Sequence, residues 1–91
     1  MPKKEIYLFL SAEEMPEDTE TFTLSIDNIY GTPWDIYTLD INGEGERVPG
    51  EFQPFSLEFG TGFVTYEGCA YIRIVAPEGM DRIGYLRVVY S

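Results

Sequence analysis

"TFTLSI", residues 21–26, is the stretch from which the fold of this chain is read. Phe22, Leu24 and Ile26 fall on one side and Thr21, Thr23 and Ser25 on the other. That period of two sends apolar side chains to one face of an extended strand and hydroxyls to the other. "FSLEF" (55–59) repeats it, with Phe55, Leu57 and Phe59 against Ser56 and Glu58. "YTLDI" (37–41) sets Tyr37, Leu39 and Ile41 opposite Thr38 and Asp40. "EIYLFL" (5–10), "FVTYE" (63–67), "AYIRIV" (70–75) and "GYLRVVY" (84–90) extend the series. Between them stand the turn signals "DNIYGTP", "NGEGE", "GTG", "EG" and "PEGMD". No window of eleven or more residues carries a helical stripe. "SAEEMPED" is read as one turn, with Ser11 and Glu14 at capping-box spacing and Pro16 ending it.

The expectation is an all-β, single-domain antiparallel β-sandwich of seven or eight short strands spanning 1–91, with closure into a small β-barrel as the alternative. A chain of 10.4 kDa buries roughly 64% of its unfolded surface, enough for one modest core. The pattern resembles immunoglobulin-like sandwiches at the level of architecture. Asp81 and Tyr85 have the four-residue offset of the acid and tyrosine before the last core strands there. The companion cysteine pair and the strand-C tryptophan context are missing, so the resemblance stops at architecture.

Two kinds of strand are expected. Those at 21–26, 37–41 and 55–59 have one apolar and one wet face, as over a single core. The last two differ. Ile72, Ile74, Leu86, Val88 and Tyr90 share one parity, and Tyr71, Arg73, Val75, Tyr85, Arg87 and Val89 the other. Paired as a hairpin about residue 80, they set Arg73 opposite Arg87, a repulsion that a carboxylate between them relieves. Tyr71, Arg73, Tyr85 and Arg87 are therefore the candidate partner-binding residues, a mix found at interface centres. The first strand is also apolar on both sides, Ile6, Leu8 and Leu10 against Tyr7 and Phe9. Tyr30, Trp34 and Tyr37, near a turn, are candidates for stacking on a ligand such as a sugar ring, with Trp34 plugging the core as the other reading.

The formal charge is −10, unevenly placed. From Glu5 to Glu46 there are eleven acids and no lysine or arginine. Direct nucleic-acid binding, which needs a basic footprint, is disfavoured. A basic protein partner, or imitation of nucleic acid by the acidic region, fits better. With no histidine, histidine-dependent hydrolases and most zinc sites are excluded. The single cysteine, Cys69, forms no intrachain disulfide and points to a reducing compartment. The apolar run from Ile6 to Leu10 is too short for a signal or a membrane span, so a soluble, cytoplasmic protein is expected.

"DINGEGERVPGE" (40–51) places Asp40, Asn42, Glu44, Gly45 and Glu51 at positions 1, 3, 5, 6 and 12 of a calcium-loop window. Strand-like stretches flank it where an EF-hand has helices, Pro49 and Gly50 interrupt its end, and Asn42-Gly43 is a hairpin signal. It is read as an acidic turn rather than a metal site. No cofactor is implied. The functional expectation is a non-enzymatic protein–protein interaction or assembly module, a homo-oligomer or an accessory subunit of a larger complex. The alternatives are an acidic inhibitor or nucleic-acid mimic and a carbohydrate-binding module.

Overall fold

The structure is a computed structural model that describes residues 5–27, 34–50, 55–76 and 85–91. Seven strands are described: β1 (Glu5–Ser11), β2 (Thr21–Asp27), β3 (Asp35–Leu39), β4 (Gly45–Arg47), β5 (Phe55–Gly60), β6 (Cys69–Val75) and β7 (Tyr85–Tyr90). A short helix, α1 (Gly62–Thr65), precedes β6, and one 3-10 turn (Ala12–Glu14) follows β1. The strands form two antiparallel sheets, β1-β6-β3-β4 and β5-β2-β7.

The sheets face each other across one apolar core, as the alternation requires. Phe22, Leu24 and Ile26 from β2 meet Ile36, Ile72, Ile74 and Leu10 from the other sheet, all at 2% exposure or less. Burying each such side chain contributes about 1.5–3 kcal/mol. One end is closed by rings: Phe22 stacks on Phe59 at 5.1 Å and meets Phe63 at 5.9 Å and Tyr90 at 6.4 Å. Among the described residues the two sheets stay separate, which fits a sandwich rather than a closed barrel.

Three expectations change. First, 70–75 and 85–90 do not pair. β6 lies between β1 and β3, whereas β7 pairs with β2 in the opposite sheet. Immunoglobulin constant domains keep their last two strands side by side in one sheet, so this strand order differs from theirs. Asp81 lies outside the described residues. Second, "FVTYE" is no strand. Residues 61–68 carry the chain from β5 in one sheet to β6 in the other, a corner rather than a hairpin. α1 turns that corner by burying Val64 completely and laying Phe63 against the core. Third, the middle strand runs from 35 to 39 with the opposite facing to that expected. Ile36 is buried between the sheets, while Tyr37 and Leu39 take the other side of the sheet, Leu39 buried there at 8% exposure, and Ile41 is exposed in the following turn. Alternation reports a strand but not which of its faces meets the core.

The turn 40–44 closes β3 onto β4. Asp40 donates its backbone N–H to the Glu44 carbonyl at 2.8 Å and accepts from the Gly43 N–H at 3.0 Å. Its Oδ1 accepts two further backbone N–H groups, from Asn42 at 2.8 Å and Glu44 at 2.9 Å. Gly43 takes φ +81°, as in a three-residue loop that ends in a left-handed residue. The acidic stretch is thus a hairpin turn, with Asp40 occupied in holding it. The 3-10 turn after Ser11 also forms, without a side-chain hydrogen bond from its cap.

Candidate functional site

The outer side of the four-stranded sheet is where the two-faced strands meet. Directly opposed residues of antiparallel strands share a face, so the register assembles three rungs there. They are Glu5–Val75–Asp35, Tyr7–Arg73–Tyr37–Arg47 and Phe9–Tyr71–Leu39. Tyr7 is 56% and Phe9 49% exposed, an uncommon degree of exposure for rings on neighbouring rungs. Phe9 and Tyr71 pack ring to ring at 5.4 Å in a tilted arrangement.

Arg73 stands in the middle of this face. Its guanidinium pairs with the Glu5 carboxylate and lies 4.8 Å from the centre of the Tyr37 ring. The hydrogen bond from Arg73 holds the Glu5 carboxyl below its ordinary range, against a smaller opposing effect of desolvation. The same hydrogen bond raises the Arg73 pKa above its ordinary value. Arg73 Nε is buried with no hydrogen-bond partner in the described structure. On the next strand pair, Arg47 Nε donates to Asp35 Oδ1 at 2.9 Å, and its terminal nitrogen reaches the Gly50 carbonyl at 3.0 Å. Both arginines of the face are therefore matched by a carboxylate on the same face.

The four residues expected to form one contact surface are split. Tyr71 and Arg73 lie on this face. Arg87 projects from the outer side of the other sheet, opposite Ser25, and the Tyr85 backbone is in β7 with its side chain outside the described part. The carboxylate that Arg73 needs is Glu5 rather than one bridging it to Arg87. The stacking trio does not assemble either. Trp34 is buried to 1% exposure in the core, Tyr37 lies over Arg73, and Tyr30 falls outside the described residues. Tyr7, Phe9, Glu5 and Leu39 were missed as members of the face. The signal for Glu5, Tyr7 and Phe9 was in the first strand, apolar on both sides and opening with an acid on the parity of Tyr7. Among the described residues no helix is long and apolar enough to cross a membrane.

The chain matches no protein-family model, no curated protein and no solved structure at a significant level.

Proposed function

We propose that this protein is a non-enzymatic assembly module that contacts another protein subunit, or a second copy of itself, through the outer face of the β1-β6-β3-β4 sheet. One observation carries the reading. In a chain of net charge −10, this face pairs its two arginines with Glu5 and Asp35 and fills the ground between with Tyr7, Phe9, Tyr37 and Tyr71. Pairing the arginines with carboxylates of the same face lowers the cost of removing it from water. Aromatic rings then supply contact area with little rotamer entropy to lose. The free thiol of Cys69 fits operation in a reducing compartment such as the cytoplasm.

Size-exclusion chromatography with light scattering across a dilution series, beside affinity capture from the source cells, tests the proposal. The expected result is an oligomer that dissociates on dilution, or a monomer that retains a defined partner. A strict monomer that retains nothing contradicts it.

A second reading rests on a different observation. Glu13, Glu14, Glu17, Asp18 and Glu20 are all exposed on the connection from β1 to β2. Concentrated there, they suit an acidic inhibitor or nucleic-acid mimic that occupies a basic protein site. Such binding weakens steeply with salt, whereas a contact through the aromatic face does not.

A further inference from the structure

Among the described residues the sandwich is open along the side where β4 and β5 meet. Both are edge strands, β4 three residues long and β5 six. An apolar groove runs between them and α1, in two adjoining hollows of about 450 and 540 Å³ that share Thr38, Gly62 and Phe63. Phe59, Phe63 and Val48 line it, and Tyr66, 88% exposed, stands at one end.

Among the described residues, nothing in backbone or packing requires glycine at two wall positions. Gly60 and Gly62 are not among the described glycines with positive φ, which are Gly43, Gly50 and Gly68. A Cβ built on either meets nothing within 4 Å among the described residues. Gly60 closes β5 and Gly62 opens α1, and at either place glycine gives up more backbone freedom on folding than alanine does. A glycine that neither backbone nor packing requires, in the wall of a groove, suits a site where another backbone approaches closely. The rim adds a sign of charge: Asp40, Glu46 and Glu67 line the groove, and the lining cation Arg47 is already held by Asp35.

We infer that this groove docks an extended peptide segment of a partner protein, one that alternates apolar with lysine or arginine residues. Its backbone lies against Gly60 and Gly62, its apolar side chains enter toward Phe59 and Phe63, and its cations meet Glu46 and Glu67. Among the described residues the outer edges of β4 and β5 have no strand partner, which suits strand addition. The net charge of −10 speeds the encounter. The groove borders the aromatic face at Leu39, but the inference does not depend on that face.

The test uses the intact protein and a fluorescein-labelled heptapeptide of alternating lysine and valine, followed by anisotropy near physiological salt. Three proteins are compared: wild type, the pair Gly60→Ala with Gly62→Ala, and the pair Tyr7→Ser with Phe9→Ser. The glycine pair leaves the charge unchanged, so its thermal midpoint is expected to hold or rise. Its affinity should fall by about tenfold or more, since an extra methyl excludes the incoming backbone. The face variant should bind like wild type. In amide NMR spectra the peptide-induced shifts should gather at 45–48 and 60–66. Equal binding by wild type and glycine variant would mark attraction to net charge alone and overturn the inference. So would no binding at millimolar peptide, shifts gathered on β1 and β6, or a lowered midpoint in the glycine variant.

Discussion

Arg73 shows how much one side chain decides on this face. Unpaired, its charge would keep the surrounding rings wet. Paired with Glu5 and laid on Tyr37, it becomes part of a surface that another protein can cover. The pair has a pH signature. Glu5 has its folded-state pKa lowered from 4.5, so its contribution to stability is present above that value. It is lost as pH falls through the lower folded value. Arg73, with its pKa raised, stays charged throughout this window. Wild type should therefore melt at a higher temperature than Glu5→Gln near neutrality, and the gap should shrink as pH falls well below 4.5. A gap of the same size at neutral and acidic pH would remove the pair from the account. Trp34 is the other decisive residue. Buried at 1% exposure, it belongs to the core, and Trp34→Ala should cost about 3–5 kcal/mol in chemical denaturation. Wild-type Trp34 fluorescence should stay flat across a glycan panel, while a response to sugars would restore the carbohydrate reading.

At the scale of elements, periodicity was legible and pairing was not. Phe22, Leu24 and Ile26 are buried and Leu57 and Phe59 face the core, as their alternation indicates. Partner choice is non-local, and two strands adjacent in sequence can still belong to opposite sheets. That is why Arg73 was matched with Arg87 when its neighbours are Tyr7 and Tyr37. Residues 63–67 alternate no worse than true strands, but crossing between sheets about 10 Å apart selects a helical corner. The face was thus half visible: the Tyr71 and Arg73 side could be read, and the strand completing it could not be assigned. A thiol experiment tests the pairing. Ser11 lies opposite Cys69 in the observed register, whereas a hairpin about residue 80 would put Ser91 there. Ser11→Cys should cross-link to Cys69 on mild oxidation and Ser91→Cys should not. The reverse pattern would restore the hairpin.

At the scale of the whole molecule, the outer face of the larger sheet is set apart from the exposed acids of the β1–β2 connection. Glu13, Glu14, Glu17, Asp18 and Glu20 are exposed on that connection, while among the described residues the outer face carries its carboxylates, Glu5 and Asp35, as partners of arginines. This separation lets a strongly acidic protein offer a neutral, ring-rich contact without long-range repulsion concentrated at the contact itself. Tyr7→Ser with Phe9→Ser bears most directly on that claim. Both rings are about half exposed, so their loss should cost about 1 kcal/mol each and leave the fold standing. Light scattering and affinity capture of wild type and variant, each at low and high salt, is the decisive measurement. The account predicts an oligomer or retained partner that survives high salt in the wild type and is lost in the variant. Identical behaviour of the two proteins, or an association that salt alone dissolves, would contradict it.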